Sequence, residues 1–450
     1  MSKKIIIIGG GPGGYTAAIR ASQMGAEAVL VEADNLGGTC LNIGCVPTKT
    51  LLHMAETYRK ARSNAIAGVN IGSVDLDIIA AMQHKEDVIQ RLSTGVYSLL
   101  RSNRVRVIKD RAIPLSARSV KIGLDTFECD AVILAVGSVN APLAIPGYET
   151  TGIMDSTKAL SMEKLPESMI IIGGGVVGIE FAELYNSLGV NVRIIEIMQN
   201  LLPSMDIDIS EYLQMIMEER NISINVNTGV DSIKRIKNGF SVSCHNDDKK
   251  EVFSAEGLLI ATGRKANVSD LGLAQIGVAM TKGSIDTDEH NMTNIPGIYA
   301  IGDCNGRTML AHAAMAQGEI AVEHIMNGYS SINSNIIPSC VYTSPEIASV
   351  GMTEQDAQLA GLEYNVGRFD LFGNARAIIE DSNGFVKIIA DKKYGEVLGV
   401  HIVAPYATEM IGAASLCMNM EGTVEDIVNS IQAHPTVSES IREAALRIRS

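Results

Sequence analysis

The chain has 450 residues, 46% of them hydrophobic and 20% charged, which is enough for about three domains with separate cores. A formal charge of −14 argues against a nucleic-acid partner, because phosphate binding needs a basic face. No apolar stretch is long enough to span a bilayer, and the run Ile5–Ile8 is too short for the apolar region of a signal peptide, so the reading is cytosolic with no membrane.

The N-terminal segment reads as strand, glycine loop and helix. Ile5 to Ile8 is a β-branched run suited to a strand buried on both faces. Gly9-Gly10-Gly11-Pro12-Gly13-Gly14 follows, with helical character from Tyr15 to Met24, and a second strand, Ala28 to Glu32, ends in an acid. Gly9, Gly11 and Gly14 make a GxGxxG fingerprint, with Glu32 placed to accept from a ribose hydroxyl. Such glycines let backbone approach a pyrophosphate at a helix N-terminus.

Next comes Gly37-Gly38-Thr39-Cys40-Leu41-Asn42-Ile43-Gly44-Cys45-Val46-Pro47-Thr48-Lys49. In a regular helix, residues i and i+5 lie roughly 8–9 Å apart at Cα, whereas a disulfide needs about 4.4–6.8 Å. A bridge therefore requires a distorted turn, for which Gly44 supplies backbone freedom. From the residues alone, Cys40 and Cys45 remain open between a redox disulfide and two inert thiols. The seven cysteines are an odd number and otherwise scattered, so no structural disulfide framework is indicated. No His cluster or second cysteine pair stands nearby to support a metal site.

The fingerprint then recurs. Met169 to Ile172 leads into Gly173, Gly175 and Gly178, then a helix from Ile179 and a strand Asn191 to Ile195 ending at Glu196. In both copies the acid lies 23 residues after the first glycine, so the chain is expected to bind two dinucleotides. The cysteine pair follows the first copy closely, and a disulfide exchanging electrons must lie against a flavin. FAD is therefore placed at the first site and a nicotinamide at the second. Ile197, Met198, Gln199 and Asn200 offer no cation for a 2′-phosphate, and Glu196 would repel one, so NAD is favoured over NADP.

Two further buried-strand runs exit at glycine: Ala131 to Gly137, and Leu258 to Gly263. Gly297 to Asp303 is another strand, and Asp303 is either a helix-entry turn or a partner for a flavin side chain. A helix is expected from about Met309 to Met326. Beyond about Asn335 the pattern becomes α+β with no nucleotide fingerprint. Near its end, Thr436 and Glu439 have the spacing of a capping box before a helix. His434 reads either as a solvated loop histidine or as a general base oriented by Glu439.

These pieces together resemble the pyridine nucleotide–disulfide oxidoreductases of the glutathione-reductase-like group, from Lys4 to about Arg447. Within that group the wording Cys-Leu-Asn-x-Gly-Cys-x-Pro-x-Lys, Glu196 and Leu310-Ala311-His312 are most similar to the dihydrolipoyl dehydrogenases. The resemblance implies an α/β fold with two Rossmann-like dinucleotide-binding domains plus a C-terminal α+β dimerisation domain. It divides the chain as 1–145 (FAD-binding, first part), 146–265 (NAD-binding), 266–334 (FAD-binding, second part) and 335–450 (interface). It implies a redox disulfide in which Cys45 faces the flavin in a charge-transfer contact and Cys40 exchanges with a dithiol substrate. Lys49 would pair with Glu180 beside the flavin. His434, oriented by Glu439, would act on the disulfide of the other subunit of a homodimer. Gly9 to Gly14, Glu32, Lys49, Ala112, Gly137, Asp303 and Ala311 would contact FAD, and Gly173 to Gly178, Glu196, Val230 and Gly263 would contact NAD.

The implied reaction oxidises dihydrolipoyl-protein with NAD⁺, and the partner is the lipoyl domain of an acyltransferase or an H-protein. Another disulfide reductase, acting on glutathione, coenzyme A disulfide or mercuric ion, is the nearest rival. The tail Leu446 to Ser450 lacks the cysteine pair of mercuric reductases, and glutathione-type enzymes usually take NADPH, against Glu196. A non-catalytic flavin/NAD sensor would need neither cysteine.

Overall fold

A computed structural model describes residues 2–63, 68–247 and 249–449. Its first strand, Lys4–Ile8, has Ile5, Ile6 and Ile7 fully buried at the centre of a five-stranded parallel sheet. Glu27–Glu32 and Ala131–Leu134 flank it, with Arg106–Lys109 and Ile298–Ala300 at the edges. The first fingerprint helix runs Pro12–Gln23, three residues ahead of the expected start at Tyr15. Proline in the first helical turn loses no intrahelical bond, so Pro12, Gly13 and Gly14 join the helix instead of the loop.

A four-stranded parallel sheet is built the same way around Ser168–Ile172, between Asn191–Ile195 and Gly257–Ile260, with Ser223–Asn225 outermost. Its fingerprint helix, Val176–Ser187, buries Ile179, Phe181, Ala182, Leu184 and Tyr185. That helix packs on the cysteine helix, Cys45–Arg62, so Leu51, Leu52 and Ala55 share one hydrophobic cluster with Phe181 and Tyr185. The chain passes between the two parallel sheets on an antiparallel ribbon, Ser138–Asn140 against Arg264–Ala266.

The C-terminal part is a five-stranded antiparallel sheet in the order Ser339–Val341, Glu346–Gly351, Val397–Ala404, Phe385–Asp391, Tyr364–Asp370. The helices Ala407–Asn419 and Glu439–Arg449 pack against it. It is docked to the second parallel sheet's domain by a buried ion cluster. Lys387, 1% exposed, reaches Asp206 at 2.9 Å, Asp208 at 3.1 Å and Glu354 at 2.7 Å. Asp206 also caps the helix Ile207–Glu219 and accepts the Glu354 N–H at 2.9 Å. Asp206→Asn keeps an acceptor for the cap but removes a buried charge facing Lys387. It is expected to cost about 1–3 kcal/mol, seen as a lower denaturation midpoint, and an unchanged midpoint would mean the cluster adds no stability.

Among the described residues no helix is long and apolar enough to cross a membrane, and no three potential ligands gather to hold a metal.

Candidate active site

The short helix Gly38–Ile43 stops at Gly44, and the cysteine helix starts at once with Cys45. A Cβ at Gly44 would stand 2.9 Å from the Thr39 carbonyl oxygen. What glycine supplies there is room for the two helices to meet, since its φ of −140° lies outside the left-handed region. The Gly44 carbonyl then accepts the Thr48 N–H at 3.1 Å and the Thr48 hydroxyl at 2.7 Å, which fixes the start of the second helix. This break brings Cys40 and Cys45 together as free thiols joined by a hydrogen bond.

The two sulfurs are electrostatically unlike. The hydrogen bond from Cys40, with the Lys49 ammonium behind it, outweighs burial and the Glu180 charge and lowers the Cys45 thiol to about 7. The same hydrogen bond, then burial, pushes Cys40 strongly upward. Of the two, Cys45 is therefore the sulfur that ionises first, while Cys40 keeps its proton.

Lys49, one turn beyond Cys45, meets both oxygens of Glu180 at 2.8 Å. Glu180 is 4% exposed and lies on the second fingerprint helix, so this ion pair links the two nucleotide-binding units beside the thiols. Tyr342 joins them from the C-terminal sheet. Its N–H donates to Glu180 at 3.2 Å, and its ring centroid lies 4.6 Å from the Lys49 nitrogen.

The two fingerprint loops are near copies. Gly9 has φ +108° and Gly173 φ +113°, and a Cβ would approach the carbonyl oxygens of Ala135 and Ala261 to 2.3 and 2.4 Å. Glu32 accepts from Gly10 N–H at 2.6 Å, and Glu196 from Gly174 N–H at 2.5 Å. Their other oxygens accept from Asp34 and Met198, each at 2.7 Å. No side chain caps either helix at Gly11 or Gly175. A Cβ at Gly175 would meet nothing within 4 Å, and one at Gly11 only Gly38 Cα at 3.8 Å. Each loop thus presents uncapped N–H donors to open space that only a glycine leaves clear, and both fit a dinucleotide pyrophosphate.

Around the first loop, Gly137 has φ +67°, Ala112 is buried at the start of Ala112–Ser116, and Ala311 begins the helix Ala311–Asn327. Asp303 sits in a 3-10 turn, Gly302–Asn305, and accepts a short hydrogen bond from Ser138. Arg264 holds that serine, donating to its hydroxyl at 2.7 Å and its carbonyl at 2.8 Å. Beside the second loop, Val177, Gly263, Arg264, Asp155 and Lys158 help line a cavity of about 390 Å³. Val230 lies farther out, at a bulge in the strand Gly229–Ile236.

His434 stands on the C-terminal part, its side chain 72% exposed. Its Nδ1 is 2.9 Å from one Glu439 oxygen, while the other accepts the Thr436 N–H at 2.8 Å. The Thr436 hydroxyl donates to Ala433 instead of closing a capping box. The helix begins only at Glu439, so the expected capping box is not formed, and Glu439 instead takes the Thr436 N–H with one oxygen and meets the imidazole with the other. The Thr436 N–H, then His434, hold the Glu439 carboxyl below its usual range.

Sequence reading missed Tyr342, Ser138 and Arg264. None lies in a motif, and each acts on a partner from a distant segment.

Residues 3–318 match the pyridine nucleotide-disulphide oxidoreductase family, and residues 337–445 match its dimerisation domain. A dihydrolipoyl dehydrogenase of Bacillus subtilis is 37% identical over 98% of this chain and 97% of its own. The mitochondrial dihydrolipoyl dehydrogenase 1 of Arabidopsis thaliana is also 37% identical, over 98% of this chain and 89% of its own. Among solved structures, LpdA of Mycobacterium tuberculosis superposes with a TM-score of 0.91 at 29% identity, covering 99% of both chains. The HOCl-induced flavoprotein disulfide reductase RclA of Escherichia coli gives 0.87 at 27% identity, over 98% of this chain and 99% of its own.

Proposed function

The chain belongs to the pyridine nucleotide-disulphide oxidoreductase family, and from that premise we propose that it oxidises protein-bound dihydrolipoamide to lipoamide and reduces NAD⁺ to NADH. Its place is then the dehydrogenase component of a 2-oxo acid, acetoin or glycine-cleavage complex. The observation that carries the reading is the Cys40 and Cys45 thiol pair at the helix break, with Lys49, one turn on from Cys45 in the same helix, ion-paired to Glu180. The full-length dihydrolipoyl dehydrogenase relatives supply the substrate class.

The family is one of pyridine nucleotide-disulphide oxidoreductases and the full-length relatives are dihydrolipoyl dehydrogenases, so the cofactors are FAD and NAD(H). FAD supplies the two-electron relay between a dithiol and a nicotinamide. In this reading Gly9 to Gly14, Glu32, Ala112, Gly137, Asp303 and Ala311 hold it, with Lys49 alongside. Gly173 to Gly178, Glu196, Val230 and Gly263 hold NAD.

The chain's own residues run the sulfur chemistry. His434 of a second copy takes the proton from a substrate thiol at Nε2, while Glu439 holds Nδ1. The substrate thiolate attacks the Cys40 sulfur of the Cys40–Cys45 disulfide, which breaks and leaves Cys45 as thiolate. The second substrate thiol loses its proton to solvent and attacks the substrate sulfur of the mixed disulfide. Oxidised lipoyl departs, and Cys40 takes the proton held on His434. The pair is left as a Cys40 thiol beside a Cys45 thiolate, the order of ionisation that the surroundings of the two sulfurs favour. Because His434 is supplied across subunits in this reading, the working unit is a homodimer, which the match to the dimerisation domain supports.

The likeness to RclA favours one alternative, a disulfide reductase with another substrate. Turnover with lipoamide and NADH is expected to be rapid, and with glutathione disulfide and NADPH negligible. Equal rates with both pairs would sink the substrate assignment.

A further inference from the structure

We propose that Tyr342 is a positioning residue for the redox pair, holding the Lys49 ammonium where it stabilises the Cys45 thiolate. The proposal rests on Cys45 serving as the thiolate of the proposed reaction. Lys49 lies on the cysteine helix and has a flexible four-carbon stem, so its distance from Cys45 is not set by the helix alone. Four things act on its charge: the two Glu180 oxygens, the Tyr342 ring face, the Cys40 and Cys45 thiol pair, and the Cys340 thiol on the strand Ser339–Val341.

Glu180 by itself pulls the ammonium away from the sulfur and adds a negative charge that opposes the thiolate. The Tyr342 ring attracts the cation through its quadrupole without adding net charge. The same residue's N–H occupies one Glu180 oxygen at 3.2 Å, which offsets part of that carboxylate's hold on Lys49. Tyr342 is anchored in turn, because its hydroxyl is hydrogen-bonded to Thr408 on the helix Ala407–Asn419. The C-terminal part thereby reaches the Lys49–Glu180 pair of its own chain, independently of His434. The other charged group acting on Cys45 is Arg264, from the ribbon between the parallel sheets, and Tyr342 does not touch it directly.

The test is the pH profile of iodoacetamide alkylation at Cys45, mapped by peptide mass spectrometry on the reduced FAD-loaded protein. Wild type should show a half-maximal rate near the pH of about 7 at which Cys45 ionises. Tyr342→Leu, which removes the π face, should move that midpoint up by about half a unit or more, the part of a neighbouring charge's influence lost when its position loosens. Tyr342→Phe keeps the face, loses only the Thr408 bond, and should stay within about 0.2 units of wild type. Far-ultraviolet dichroism and bound FAD establish that each variant is folded. A folded Tyr342→Leu protein with a wild-type profile overturns the proposal, as does Tyr342→Phe shifting as far as Tyr342→Leu. A wild-type Cys45 that titrates like an ordinary thiol overturns both this proposal and the thiolate role beneath it.

Discussion

Cys45→Ser is expected to lower lipoamide turnover by at least about 10³-fold while the purified protein stays yellow with bound FAD. A serine hydroxyl cannot leave as a stable anion near neutral pH, and it cannot close or open a disulfide with Cys40. The change replaces one sulfur by a smaller oxygen at a position outside both glycine loops, so FAD should still bind. Cys40→Ala should be equally inactive but should keep a reactive thiol at 45. That thiol should ionise above the wild-type value of about 7, since the Cys40 hydrogen bond is the largest influence lowering it. Lipoamide turnover surviving in Cys45→Ser would remove the disulfide from the mechanism.

His434→Gln should cut lipoamide turnover by about 10²–10⁴-fold, the usual worth of a positioned general base. Glutamine fills similar space but takes up no proton at neutral pH. The exchange keeps a polar side chain of similar size outside both glycine loops, so FAD absorbance and the dimer should be unchanged. A companion, Glu439→Gln, should lose less activity, because it leaves the imidazole in place and weakens only its orientation. Full activity in His434→Gln would return the residue to a loop histidine beside a helix start.

Much of this site was legible from the residues in order. The two glycine loops and their acids could be read directly because each constraint is local. Gly9 and Gly173 need positive φ, and Glu32 and Glu196 bond back to loops 22 residues earlier. The Lys49–Glu180 pair spans 131 positions, and only resemblance to a family suggested it. Ser138 meets Asp303 across 165 positions, and Arg264 meets Ser138 across 126. No periodicity or spacing announces such contacts, because loop closure allows almost any separation once the fold brings the ends together. Pro12 shows a smaller gap of the same kind. Its glycine neighbours suggested loop, and packing of the helix put all three residues into its first turn.

The local wording of this chain determined its two dinucleotide loops, and it placed two cysteines five positions apart with a glycine between them. Backbone geometry over a few residues suffices for those features. Which cysteine carries the negative charge was decided by tertiary structure alone. In the sequence Cys40 and Cys45 are equivalent thiols. They become unlike when Gly44 lets two helices meet and the Cys40 hydrogen bond and the Lys49 charge, itself held by Glu180 and Tyr342 from two other segments, act on Cys45.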